Sequence, residues 1–175
     1  MSKATELARN AAVPFVREVD TLLDIGPGIR PQVLVSARWQ IRVEPCEEYA
    51  LWLMERGHMV MPTTGVQALQ YADEINATMD TVVALDVLEH MEREEGVEFI
   101  RRALRIAQQQ VIIFTPLGFL PQPESKDGRD AWGMSGQEWQ RHRSGWKPDD
   151  FPGWRIVVLP KFHYGRRAAF FAIHG

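Results

Sequence analysis

The residues of this 175-residue chain that could do chemistry fall in four places. Gly26-Pro27-Gly28 follows the apolar run Thr21 to Ile25, and two glycines around one residue let a backbone turn sharply and approach a ligand closely. Glu44 closes a second run, Gln40 to Val43, 18 residues beyond Gly26. At that spacing a carboxylate can accept hydrogen bonds from both hydroxyls of a ribose. Asp86-Val87-Leu88-Glu89-His90 follows a third run, Thr81 to Leu85, and the stretch Gln137 to Trp146 gathers Trp139, Arg141, His142, Arg143 and Trp146. The glycine pair alone is equally a plain tight turn, and Glu44 alone a solvated acid; their common position at strand ends gives the pair its weight. No G-x-x-x-x-G-K-[ST] run is present, so a nucleoside without a triphosphate is favoured. His90 and His142 supply bases whose ordinary pKa lies near neutrality.

Such positions work only if strands hold them at one edge of a sheet. Seven short apolar runs bounded by turn residues read as strands: Thr21 to Ile25, Gln40 to Val43, His58 to Met61, Thr81 to Leu85, Val111 to Phe114, Arg155 to Leu159 and Ala168 to Ile173. Between them Glu47 to Glu55 and Glu92 to Ala107 carry the three- and four-residue spacing of amphipathic helices, with Val97, Ile100, Leu104 and Ala107 as the apolar stripe of the second. Strands alternating with helices predict a doubly wound, mostly parallel α/β sheet with helices on both faces. Pro160 to Arg167 is too short for a crossover helix, so the last strand returns antiparallel.

Composition narrows the function. Twenty basic against 23 acidic residues give a formal charge of −3, and no long basic block announces nucleic acid. The single Cys46 excludes an internal disulfide and a multi-cysteine metal centre. Met1 to Asp20 mixes charge with short apolar pieces, unlike a signal peptide, and no run reaches the roughly 18 apolar residues of a membrane span. The expectation is one cytoplasmic domain over residues 1–175. His58, His163 and His174 show no ligand spacing, so no metal site is expected.

The set Leu22-Leu23-Asp24-Ile25-Gly26-Pro27-Gly28, Val43-Glu44-Pro45 and Asp86-Val87-Leu88-Glu89-His90 resembles that of the class I S-adenosylmethionine-dependent methyltransferases. The resemblance covers roughly residues 20 to 175. It implies a Rossmann-like seven-stranded sheet with an antiparallel last strand, S-adenosylmethionine as cofactor, and methyl transfer to an acceptor. It also implies that Asp24, Gly26 and Gly28 line the methionine and ribose, that Glu44 holds the ribose hydroxyls, and that Asp86 sits beside the methionine. Leu88 then lies near the reacting sulfonium, and Glu89 or His90 at the entrance to the acceptor pocket. Two departures stand out. Arg30 replaces a glycine often found there, followed by Pro31, so the helix after Gly28 is short or replaced by irregular chain. Thr63-Thr64 stands where an acid often meets the adenine amino group, leaving Thr64 or backbone atoms to serve. These departures also suit a non-catalytic subunit that keeps the fold; another nucleoside-using enzyme, such as a short nicotinamide oxidoreductase, is the third reading.

Phe119 to Gly153 is a long polar insertion, and long loops in compact domains are usually functional. It reads as a lid or substrate wall for a small-molecule acceptor, with Trp139 and Trp146 as apolar walls, Arg141 and Arg143 attracting an anionic group, and His142 accepting a proton. The plainer reading has Trp146 and Phe151 anchoring the loop on the sheet.

Overall fold

A computed structural model describes residues 3–122 and 128–175. Strands form at the seven expected places: β1 (Val19–Ile25), β2 (Ala37–Val43), β3 (Met59–Met61), β4 (Met79–Leu85), β5 (Ala107–Pro116), β6 (Arg155–His163) and β7 (Arg167–His174). They make one sheet in the order β3-β2-β1-β4-β5-β7-β6, parallel from β3 to β5, with β7 antiparallel to both its neighbours. The strands grow because their residues alternate cleanly between two cores. Leu23, Val82, Ile113 and Phe170 point to one face, where they meet Leu69 of α3 (Gly65–Glu74) and Phe99 and Ala103 of α4 (Arg93–Ile106). Leu22, Val83, Ile112 and Phe171 point to the other, against Ala8 and Ala12 of α1 (Lys3–Ala12). A further helix, α2 (Glu47–Met54), leads from β2 to β3.

The segment from β1 to β2 holds no helix, the irregular alternative that Pro27 and Pro31 favour. It is pinned instead by Gln32, whose Oε1 accepts from the Leu34 and Val35 amides at 2.7 and 2.8 Å, while Leu34 and Val35 cap the second core. In α4 the buried stripe is Gly96, Phe99, Ala103 and Ile106, one residue out of phase with the expected one; Val97 is 54% and Leu104 37% exposed. The phase is set from outside the helix. Trp146 seats against Gly96, where a Cβ would come within 2.4 Å of the indole, so that side of α4 must face inward. The last hairpin is also longer than expected. β6 continues through Pro160 with a break in register between Leu159 and His163, and only Tyr164 to Arg166 turn the chain, with Tyr164 and Gly165 at φ 53 and 67.

Of the insertion from 119 to 153, residues 123–127 lie outside the described part. The rest holds two short 3-10 turns, Gly136–Glu138 and Pro148–Asp150. No helix among the described residues is long and apolar enough to cross a membrane.

Candidate active site

Strand order reverses between β1 and β4, and the carboxyl ends of these strands open a crevice where open parallel sheets take ligands. A cavity of about 480 Å³ lies there, within the range of small-molecule sites. One end is built from the turn after β1. Gly26 and Gly28 adopt φ 62 and 55, and a Cβ on Gly26 would press to 2.8 Å from Val87, so the conformation and the space both call for glycine. Glu44 lies beside it, 3% exposed, with Oε2 accepting from the Gly28 amide and Oε1 from the Cys46 amide, both at 2.9 Å. Burial pushes its carboxyl up to about 7 against the pull of those two amides.

Part of the insertion covers this end. Trp132 stands over Gly28, where a Cβ would come within 2.5 Å of it, meets Tyr49 edge-on at 5.2 Å, and has the Arg30 guanidinium 5.7 Å from its ring. Asp130 ties the covering loop down. It accepts from the Tyr49 hydroxyl and from the amides of Trp132, Met134 and Gly136 at 2.7, 3.0 and 2.9 Å, while the Ser135 amide donates to Glu48 at 2.7 Å. Although burial opposes it, this set of donors, Tyr49 first, holds the Asp130 carboxyl below its usual range. Asp130→Ala removes the acceptor of four donors, each worth about 1.5–3 kcal/mol toward a charged partner. Hydrogen exchange at the Trp132, Met134 and Gly136 amides is expected to rise by at least about tenfold, with the amides of β4 and β5 unchanged.

The other end of the cavity is acidic and carries imidazoles. Asp86 holds a positive φ of 54, uncommon outside glycine, while its amide donates to the Phe114 carbonyl at 2.8 Å. The surrounding chain pushes its carboxyl upward although it opens to the cavity. Glu89, 2% exposed, accepts from the Thr115 hydroxyl at 3.0 Å and is pushed well up by burial and by Asp86. His90 Nδ1 lies 3.2 Å from the Arg141 carbonyl, and His142 Nδ1 2.5 Å from the Leu120 carbonyl. A carbonyl only accepts, so each Nδ1 carries the hydrogen and each Nε2 keeps its lone pair. Burial lowers both pKa values, His90 to about 4 with help from His142, and the rings sit 4.9 Å apart.

No family model and no curated protein matches the sequence. Solved structures do match. A SAM-dependent methyltransferase from Archaeoglobus fulgidus aligns over 97% of this chain and 94% of its own at 14% identity, with a TM-score of 0.60. The magnesium protoporphyrin IX methyltransferase of Synechocystis PCC 6803 aligns over 98% and 76% at 15% identity and TM-score 0.56. The small RNA methyltransferase HEN1 aligns over 97% of this chain but 25% of its own, at 17% identity and TM-score 0.57. This chain has the class I methyltransferase fold.

On that methyltransferase fold the residues singled out from sequence separate into two groups. Gly26, Gly28, Glu44, Thr64, Asp86, His90, Trp139, His142 and Arg143 line the cavity. Thr64 also caps α3, its hydroxyl accepting from the Gln67 amide at 3.3 Å. Asp24, Leu88, Arg141 and Trp146 do not line it. Asp24 is 2% exposed beneath the wall, accepting from the Gln32 amide at 3.3 Å, and burial raises it to about 7. Leu88 points into the core; only its carbonyl is engaged, by the Ser144 hydroxyl and Trp146 Nε1, both at 3.2 Å. Trp146 is an anchor and not a wall, fully enclosed between Gly96 and the Arg93 guanidinium 3.8 Å from its ring. Arg143 pairs with Glu138 and lies 3.7 Å from Glu92, and Arg141 lies 3.8 Å from Glu138, so both guanidinium groups already face acids. His163, set aside in the sequence, reaches the cavity because the register break in β6 re-aims it; burial holds it near pKa 4, with Nε2 3.5 Å from Asp86. Asp130, Tyr49 and Trp132 carry no motif and lie outside the four places that the sequence singles out.

Proposed function

We infer that the chain transfers a methyl group from S-adenosylmethionine to a small-molecule acceptor. The observation that carries this reading is the pairing, in one cavity, of a buried Glu44 locked to the Gly28 amide with two neutral imidazoles at the far end. The glycine turn and Glu44 stand together at one end of the cavity, where the carboxylate's remaining lone pairs suit ribose hydroxyls, and the apolar Ile25, Pro45 and Val87 suit an adenine face. The cofactor supplies an electrophilic methyl group on sulfur. The chain's residues have to align donor and acceptor, exclude water, and deal with the acceptor's proton. As the acceptor's lone pair bonds to the methyl carbon, the carbon–sulfur pair returns to sulfur and the acceptor's proton passes to the Nε2 lone pair of His90 or His142. Glu92, Glu95 and Glu138 at the cavity argue against a phosphate backbone and for a small acceptor.

Calorimetric titration with S-adenosylmethionine and with S-adenosylhomocysteine tests this, and micromolar binding of both is the expected result. A nucleoside donating to Glu44 favours the ionised carboxyl, so affinity rises from pH 6 to pH 8 and levels once Glu44 has lost its proton near pH 7. Glu44→Gln weakens binding about 10–100-fold and flattens that dependence. Trp132 over Gly28 is the observation that favours the second reading, a non-catalytic subunit. Absence of binding to either compound, together with co-purification of another methyltransferase-like chain, would establish it.

A further inference from the structure

We propose that Glu89, His90 and His142 hold one divalent transition-metal ion at the acceptor end of the cavity, and that the ion takes an oxygen of a hydroxyl-bearing acceptor. A ligating atom from each of the three lies within 4.8 Å of the others. An ion about 2.1 Å from each atom needs separations of about 3 to 3.5 Å, within reach of small side-chain rotations. What distinguishes the group from a chance cluster is the support behind every member. His90 and His142 each commit Nδ1 to a backbone carbonyl, those of Arg141 and Leu120, which fixes the ring and turns Nε2 into the free ligand. Glu89 is steadied by the Thr115 hydroxyl at 3.0 Å, and its own carbonyl accepts from the Arg143 and Ser144 amides at 2.7 and 3.1 Å. The two segments that supply the ligands are thereby bound to each other. Ligands orientated from behind are the usual mark of a metal centre.

The donor set selects the ion. Two imidazole nitrogens and one carboxylate oxygen suit Zn²⁺, Co²⁺, Mn²⁺ or Fe²⁺, whereas Mg²⁺ prefers oxygen alone. Three protein ligands leave coordination positions open toward the cavity, and an ion there would place an acceptor hydroxyl and make its proton easier to lose. This last part rests on the methyl-transfer reading. With the ion bound both Nε2 lone pairs are taken, so the hydroxyl proton would leave to water in the cavity instead of to an imidazole, as the oxygen–methyl bond forms and the carbon–sulfur pair returns to sulfur.

The test is a titration of tag-free, chelator-stripped protein with Co²⁺, followed by the visible absorption of the bound ion. The expected result is one Co²⁺ per chain at micromolar concentration, displaced by equimolar Zn²⁺ and not by equimolar Mg²⁺. His142→Ala and His90→Ala should each weaken binding at least about tenfold. Glu89→Gln, which keeps the volume of the side chain, should abolish the rise in melting temperature that Zn²⁺ gives the unaltered chain. No saturable absorption band, or a band that both histidine variants leave unchanged, would overturn the proposal. The readout needs neither nucleoside nor acceptor, so it is independent of the S-adenosylhomocysteine titration: Co²⁺ binding without nucleoside binding would sink the methyl-transfer reading and leave the metal site standing.

Discussion

Replacing His142 by alanine is expected to slow methyl transfer about 10²–10⁴-fold while leaving the affinity for S-adenosylhomocysteine within about twofold, a shift of only about 0.4 kcal/mol. The asymmetry follows from position. His142 lies at one end of the cavity, its ring 4.9 Å from His90, whereas Glu44 and the glycine turn form the other end, to which the proposed function assigns the nucleoside. The imidazole is oriented by Leu120 and is neutral, so its loss removes a lone pair at the acceptor and leaves no stranded buried charge behind. Pre-steady-state measurement of a single turnover, with cofactor saturating, separates the chemical step from release. A drop in affinity equal to the drop in rate would place His142 among the nucleoside contacts and refute the assignment.

Trp146→Ala should destabilise the fold by about 3–5 kcal/mol, the range for removing a fully buried large aromatic. In a chain of this size that lowers the melting temperature by roughly 10 °C. The indole fills the space left by Gly96, donates to the Leu88 carbonyl and the Ser144 hydroxyl, and lies beneath Arg93, which also reaches the Gly145 carbonyl at 3.1 Å and Asp150 at 2.5 Å. Its removal therefore opens a cavity, takes the ring from beneath Arg93 and leaves the Leu88 carbonyl with one donor fewer. A substrate wall would behave in the opposite way, losing activity at constant stability. Thermal unfolding of Trp146→Ala beside Trp146→Phe distinguishes the two, because phenylalanine restores most of the volume without the hydrogen bonds.

The strands were legible in the sequence because their signal is local. Thr81 to Leu85 and Val111 to Phe114 are apolar on both faces, as strands at the centre of a covered sheet must be, and the eight residues from Pro160 to Arg167 could only reverse the chain. Gly26, Glu44 and Asp86 were legible for a related reason, since each ends a strand and the topology collects strand ends. Features settled by packing at long range were not. The phase of α4 depends on Trp146, fifty residues beyond Gly96, and Val97 and Leu104 looked as apolar as Phe99 until that partner was in place. Leu88 sits between two residues that line the cavity, yet it turns inward because the short 3-10 turn Leu88–His90 directs successive side chains to different sides. His163 owes its place to an irregularity in β6 that no residue pattern announces.

That same irregular strand governs what can happen at the rim of the sheet. A strand left at the side of a sheet is a template on which another chain can grow a ladder. Here one side ends in three residues, Met59–Met61, and the other in a strand whose outward row is interrupted by Pro160, which has no amide to donate, and flanked by the charges of Arg155 and Lys161. An incoming segment would find too few consecutive partners on either side to nucleate. The irregularity that precedes His163 thus also leaves this side of the sheet a poor template for edge-to-edge pairing.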